Sequence, residues 1–262
     1  MSIKRLGSRF RIATPIGQAV FDDNRKLVEA IDRRKILRGS LTLGALTMLT
    51  GCDIGHEGSI QSALRAVSEV NDAVQAALFR PDHLAPTYSV DQVVKPPHFN
   101  AFYDPEDVRP VAAASWKLEL SGLIQNKTPW TVAQMYDLPE TEVIIKHICV
   151  EGWDYIGQWS GPSFRLFLEK IGADTKAKYI AFKCADDYTG SIDMATALHP
   201  QTILATRYAR EPITDPYGFP LRLRTATKLG YKNPKWITAI EVTNVKPGGY
   251  WEDRGFNWFG GI

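Results

Sequence analysis

The chain has 262 residues, 44% of them hydrophobic and 23% charged. That balance excludes wholesale disorder, collagen-like repeats and a multispan membrane protein, and the length suits one large domain or two small ones. The formal net charge of +2 is unevenly spread: residues 1–51 hold 10 Lys/Arg and 4 Asp/Glu, so of the 31 basic and 29 acidic residues the remainder keeps 21 and 25. The body is therefore net acidic, which argues against nucleic acid as a partner. The three cysteines cannot make a disulfide framework. With 7 Trp, 10 Tyr and 11 Phe, the chain can build a sizeable core with aromatic walls.

The first segment reads as an export leader. Asp32-Arg33-Arg34-Lys35-Ile36-Leu37-Arg38 has the form of a twin-arginine signal. The apolar stretch Gly39–Gly51 is 13 residues long, whereas a membrane-spanning helix needs about 20. Leu49-Thr50-Gly51-Cys52 has the form of a bacterial lipobox, with Cys52 as the lipidated residue after cleavage. Asp53 matches the signal that keeps lipoproteins in the inner membrane. A short buried helix with a chance arginine pair is the alternative, but the order of arginine pair, short apolar run and small-residue-Cys favours export. The expected location is periplasmic, lipid-anchored to the inner membrane. The twin-arginine route carries folded proteins, so it raises the expectation of a complex cofactor. The expected organisation is a signal region over 1–51, a lipid tether, helix and extended arm over 52–98, and a catalytic domain over 99–262.

Beyond the leader, Ile60, Leu64, Val67, Val70, Val74 and Leu78 recur at helical spacing and predict a helix over 59–79, with Ser59 as N-cap. Pro81, Pro86, Pro96 and Pro97 make residues 80–98 an extended arm. Helix and arm are expected to pack along the domain. Strands are expected over Trp116–Leu120, Val143–Ile145, Tyr179–Phe182, Leu221–Arg224 and Trp236–Val242. A short helix is expected over Phe164–Lys170, ended by Gly172. The irregular alternation of elements predicts an α+β domain with mixed sheets and long loops, not a regular βαβ sheet.

Several residues could carry chemistry. Cys149 sits at the end of a strand, in His147-Ile148-Cys149-Val150-Glu151-Gly152-Trp153. Taken alone it is either a buried small hydrophobe or a functional thiol. A zinc site fails on ligand count, because Cys149 and Cys184 lack a Cys-x-x-Cys partner and His147 is too close in the strand. A protease reading needs partners that only the fold can supply. Arg222 is either a solvated strand position or an anion anchor. Lys235 could be a surface lysine, Asn100 a turn cap and Tyr103 a core ring. Asp186-Asp187-Tyr188-Thr189-Gly190 reads as a polar turn between strands.

The pieces together are more specific. Cys149-Val150-Glu151-Gly152-Trp153, Trp159-Ser160-Gly161-Pro162, Gly218-Phe219-Pro220-Leu221-Arg222-Leu223, Gly230-Tyr231-Lys232, Lys235-Trp236-Ile237 and Ile240-Glu241 occur in this order. The series resembles the molybdopterin-binding domain of the sulfite oxidase family, over roughly Asn100 to Val245. The similarity is to the exported bacterial branch that includes periplasmic methionine-sulfoxide reductases. It implies a sulfite-oxidase-type domain holding Mo-molybdopterin, with Cys149 as the catalytic thiolate ligand to molybdenum. Soft sulfur donors suit that metal. It also implies cofactor binding by Asn100, Tyr103, Asp104, Cys184, Tyr217, Arg222, Asn233 and Lys235. Arg222 is then the best anchor for the phosphate or pterin.

Some positions depart from the family. Cys184 stands where the reductase branch has a threonine, and Tyr217 where it has a polar Asn or His. Glu151-Gly152-Trp153 replace the small residues and paired arginines that follow the cysteine in sulfite-oxidising members. The family's dimerisation domain is not expected, because only Lys246–Ile262 follow, which implies a monomer. No haem-attachment Cys-x-x-Cys-His motif is present. The resemblance thus implies two-electron oxygen-atom transfer, reductase-like, with a small-molecule oxo donor or acceptor. Electrons would be exchanged with a membrane haem protein or a c-type cytochrome. Oxidation of a sulfite-like anion, or a cofactor-free binding lipoprotein on the same scaffold, are the alternatives.

Overall fold

The computed structural model describes residues 57–262, so the twin-arginine, apolar and lipobox segments with Cys52 lie outside the described residues. The chain divides into two compact units, one running through Phe79 and including Gly255–Trp258, the other Arg80–Arg254 with Phe259–Ile262. The helices are α1 Glu57–Leu78, α2 Val132–Tyr136, α3 Phe164–Lys170 and α4 Met194–Ala197. The strands are β1 Glu119–Gly122, β2 Glu140–Ile148, β3 Asp154–Pro162, β4 Tyr179–Cys184, β5 Thr189–Asp193, β6 Ile203–Ala205, β7 Arg207–Tyr208, β8 Glu211–Pro212, β9 Arg222–Arg224 and β10 Ile237–Thr243.

In the first unit α1 begins before the expected Ser59, which falls inside the helix and not at its cap. The apolar spacing marks the helix but not its covered side. Asp72, Ala73 and Ala76 are buried, whereas Val67, Val74 and Leu78 are exposed. None of the helices among the described residues is long and apolar enough to cross a membrane.

The second unit holds three sheets, with strand orders β1-β10-β4-β5, β2-β3-β7-β8 and β6-β9. The first is mixed, because β1 runs parallel to β10 while the other pairs are antiparallel. This is the α+β architecture that the irregular alternation of elements predicts. The β2–β3 hairpin is the longest ladder, pairing Glu140 with Pro162 through to Ile148 with Asp154. Val143, Ile145, Tyr155, Trp159, Ile203, Ala205 and Tyr208 form a core cluster against it. The extended arm joins this unit through scattered backbone bonds. Tyr88 N–H donates to Ile144 O (3.1 Å), Val94 N–H to Ile156 O (3.0 Å), and Gln201 bonds both the N–H and the carbonyl of Ala85.

Helix α3 spans the expected residues and is capped by Ser163, whose Oγ accepts from Leu166 N–H (3.2 Å). Three strands start later than expected, β9 by one residue at Arg222. Trp116, Leu118 and Leu120 do bury alternately, but Leu118 bridges Trp130, so the β10 ladder begins only at Glu119. Strand β10 begins after Trp236, whose φ of 52° breaks the extended run.

Candidate functional site

Strand β9 alternates, so Arg222 and Arg224 share one face and Leu223 takes the other. That face is not solvated: the arginines are 1% and 0% exposed. Their guanidinium carbons lie 4.5 and 5.3 Å from the centroid of the Trp159 ring of β3. Arg222 Nη1 donates to Tyr217 O (2.8 Å). Arg224 Nη1 reaches Asn233 Oδ1 (3.0 Å) and His147 Nδ1 (2.8 Å). The Nε and Nη2 atoms of both arginines are buried without a protein partner. Burial, with the charge of Arg224 adding to it, lowers Arg222 to about 9, so it remains a cation at neutral pH. Burial lowers Arg224 as well.

His147 is held neutral. Burial first, then Arg224, Arg222, Lys235 and His98, push it well below the usual histidine range. Arginine can only donate, so Nδ1 accepts and the ring proton is assigned to Nε2 from this network. That Nε2 is buried and unpartnered, as is the indole Nε1 of Trp159. The six unpartnered nitrogens of His147, Trp159, Arg222 and Arg224 are thus all donors.

Two glycines bring the surrounding loops close. Gly218 ends the turn Asp215–Tyr217 at φ 106°, and a Cβ there would stand 2.9 Å from Lys235 Cβ and 3.2 Å from Arg222 Cβ. At Gly230 a Cβ would stand 2.7 Å from His147 Nε2. Asn233 Oδ1 also accepts from Thr225 N–H (2.8 Å), and its Nδ2 donates to Leu229 O (3.0 Å). Lys235 is buried, donates to Asn100 O and lies 4.6 and 4.3 Å from the Phe99 and Trp236 ring centroids. Burial, then Arg222, lower it well below the usual lysine range.

Cys149 continues the inward alternation of Val143, Ile145 and His147. Its N–H donates to Trp153 O (2.9 Å), closing a tight turn. Trp153 and Tyr155 lie 5.7 and 5.1 Å from the His147 ring. Burial raises the Cys149 thiol, and the Glu151 carboxylate 3.8 Å from Sγ adds to that.

A neighbouring group surrounds Cys184. Tyr103 Oη donates to Asp186 Oδ2 (3.0 Å), and its ring lies 6.1 Å from Trp236. Burial, then Asp186, push the Cys184 thiol well up, while Lys235 acts in the opposite sense. Asp186 is itself raised by burial. The polar turn joins β4 to β5 as expected, with Asp187 at φ 63°. Asp104 is exposed and precedes the turn Pro105–Asp107. The fold thus joins Tyr217, Arg222, Asn233, Lys235 and Asn100 into one network, linked through His147 to the strand of Cys149. Tyr103 and Cys184 adjoin it through Asp186 and Lys235, and Asp104 makes no side-chain hydrogen bond there among the described residues. Sequence reasoning gave no cofactor role to Arg224, Trp159 or Asp186 and set His147 aside as a zinc ligand; the alternations Val143-Ile145-His147-Cys149 and Arg222-Arg224 were the available signal.

The family described as oxidoreductase molybdopterin binding domain matches residues 106–251. A protein of Azospira oryzae, provisionally named as the protein-methionine-sulfoxide reductase subunit YedZ1, is 54% identical over 92% of this chain and 92% of its own length. The protein-methionine-sulfoxide reductase catalytic subunit MsrP of Campylobacter jejuni is 28% identical, over 53% of this chain and 52% of its own. The chain therefore spans about half the length of that second relative. A solved structure, the sulfane dehydrogenase SoxCD of Paracoccus pantotrophus, aligns with a TM-score of 0.49 and 16% identity, over 53% of this chain and 40% of its own.

Proposed function

The chain belongs to the family of oxidoreductase molybdopterin-binding domains, and from that premise we propose that it removes oxygen from a sulfoxide-type donor by two-electron oxygen-atom transfer. As a member it is a molybdenum-dependent oxidoreductase whose cofactor is Mo-molybdopterin. The residues present fit that group. Six buried nitrogens are donors, with no carboxylate bridging Arg222 or Arg224 among the described residues, so together they suit an acceptor-rich anion. This single observation carries the reading.

In this proposal Arg222, Asn233, Lys235 and the Tyr217–Gly218 turn hold the cofactor, with Asn100, Tyr103, Cys184 and Asp104 as the expected further contacts. Cys149 supplies the protein thiolate to molybdenum. The bound group supplies an acceptor for one oxygen atom and a store for two electrons. Reduction of a sulfoxide consumes two electrons and two protons and yields a thioether and water. Asp186, raised by burial and bonded to Tyr103, is the chain's own candidate to hold a proton near Cys184. The electrons come from a redox partner, a membrane haem protein or a c-type cytochrome. The names of the Azospira and Campylobacter relatives support the sulfoxide direction.

The test is metal, pterin and activity measurement on protein from a molybdate-supplied host, with Cys149→Ser beside it. Near-stoichiometric molybdenum and viologen-driven sulfoxide reduction are expected in the wild type. Cys149→Ser is expected to lose more than about 100-fold in turnover, beyond the loss that outer partners of a metal usually cause. A wild-type-like Cys149→Ser would remove the ligand assignment, and an empty wild type would support a cofactor-free binding role. Sulfite-dependent reduction of a cytochrome, with no sulfoxide reduction, would instead support oxidation of a sulfite-like anion.

Export by the twin-arginine route with lipid attachment at Cys52 to the inner membrane belongs to the same proposal. Cell fractionation is expected to find Arg33→Lys/Arg34→Lys protein retained in the cytoplasm, and Cys52→Ala protein without lipid label. Periplasmic delivery of the first, or unchanged labelling of the second, would defeat the corresponding half.

A further inference from the structure

We propose that Arg224 is a second anchor for the anionic group of the cofactor, set in place by His147 and Asn233; this rests on the molybdopterin reading above. Motif reasoning reaches Arg222 but passes over Arg224, two residues along the same strand face. Both guanidiniums lie over Trp159, and both keep Nε and Nη2 unpartnered. The third terminus of Arg224, Nη1, is spent on His147 Nδ1 (2.8 Å) and Asn233 Oδ1 (3.0 Å). It therefore ties the strand that carries Cys149 to the loop that carries Asn233 and Lys235, while its other donors remain open.

The shared chemistry of such a seat is a tetrahedral oxyanion, which arginine donors bind with charge assistance. It has two sources here, the phosphate of the cofactor or an oxyanion substrate. Burial separates them. The open donors each expose essentially no surface. A substrate must enter and leave at every turnover, whereas a cofactor loaded once does not. Asn233, Thr225 and the Tyr217 carbonyl also order the seat from three loops, as a permanent guest requires.

The test compares wild type, Arg224→Met and Arg224→Lys from a molybdate-supplied host, reading pterin by fluorescence after oxidation and molybdenum by mass spectrometry. Thermal midpoints are taken on the same chains from a host unable to make the cofactor. Arg224→Met is expected to retain less than about a tenth of the wild-type pterin. Its cofactor-free midpoint should stay within about 3 °C of wild type, because relief of the desolvation penalty of a buried cation with no carboxylate partner offsets the bonds lost to His147 and Asn233. Arg224→Lys keeps the charge but cannot bond His147, Asn233 and the guest together, so it should release pterin on dialysis about tenfold faster.

Full loading of Arg224→Met overturns the anchor, and so does a fall in its cofactor-free midpoint well beyond that range, which is the mark of a structural residue. Full loading with a KM for the oxyanion substrate raised about tenfold or more over wild type overturns the cofactor assignment in favour of a substrate oxyanion. Should Arg224→Met fail to fold, wild-type pterin retention by Arg224→Lys overturns the proposal alone. An empty wild type overturns the molybdopterin reading and the anchor together, which keeps the two failures apart.

Discussion

Two sets of buried cations lie within a few residues of each other and are treated in opposite ways. Lys228 Nζ sits 3.0 Å from Asp193 Oδ2, with both side chains 1% exposed, and Lys232 is paired with Glu252. Arg222 and Arg224 are as deeply buried, yet their Nε and Nη2 atoms have no hydrogen-bond partner and no carboxylate lies beside them among the described residues. A buried charge must be compensated. The lysines are compensated from within the chain, so their role is structural. The arginines are left for something the chain does not itself contain. Burial alone therefore does not mark a site; a cluster of buried donors with no carboxylate beside them does.

The comparison breaks most visibly at Asp193, which also caps α4 by accepting from Thr196 N–H (2.8 Å) and Thr196 Oγ1 (2.6 Å). Asp193→Ala strands Lys228 and is expected to lower stability by about 3–5 kcal/mol in denaturant unfolding of the cofactor-free chain. A loss below about 1 kcal/mol would mean that the pair is no more needed than the open arginines. The same carboxylate has a pH signature. Burial raises Asp193, but Lys228 and the Thr196 donors outweigh it, so its folded value lies below its unfolded one. Its contribution is therefore full above the unfolded value of about 4 and drains as pH falls through that range. The stability gap between wild type and Asp193→Ala should narrow from pH 6 to pH 3; a gap that widens would reverse the sign.

On the arginine side, Gly230→Ala sharpens the contrast with a smaller effect. Its Cβ would meet His147 Nε2 at 2.7 Å and Cε1 at 3.1 Å. The ring is flanked by Trp153 and Tyr155 and tied to Arg224, so it cannot simply step aside. A loss of about 1–3 kcal/mol is expected, as for other overpacked cores, together with reduced pterin loading. Full stability and loading would show that His147 has room to move and does not hold Arg224.

The outline of the fold was legible because it is local. The helix over Phe164–Lys170, the strand cores and the polar turn after Cys184 all follow from alternation, caps and glycines. The α+β class and the family also follow, the latter from ordered motifs. What was not legible is what covers each face. Leu221-Arg222-Leu223-Arg224 reads equally well as a half-solvated strand, and Trp159, more than sixty residues earlier, lies over the guanidiniums. His147 was weighed as a metal ligand and set aside. Its tie to Arg224 spans 77 residues, which no local pattern encodes. The α1 stripe misled for the same reason, since Ala73 and Ala76 are covered and Val67 is not.

The smallest expected effect concerns a pair that looks strong on geometry alone. Arg207 Nε reaches Glu140 Oε1 at 2.7 Å, shorter than the Lys228–Asp193 distance, but the two side chains are 30% and 37% exposed. Glu140 raises Arg207, as a carboxylate partner should. Water nevertheless screens both charges and already solvated them before folding, so little is gained by bringing them together. Glu140→Gln is expected to change stability by less than about 1 kcal/mol. That change should shrink further at 1 M salt, where the screening length falls to about 3 Å. A salt-insensitive loss as large as that of Asp193→Ala would show that distance outweighs burial here, and the contrast between paired, open and surface cations would have to be redrawn on distance alone.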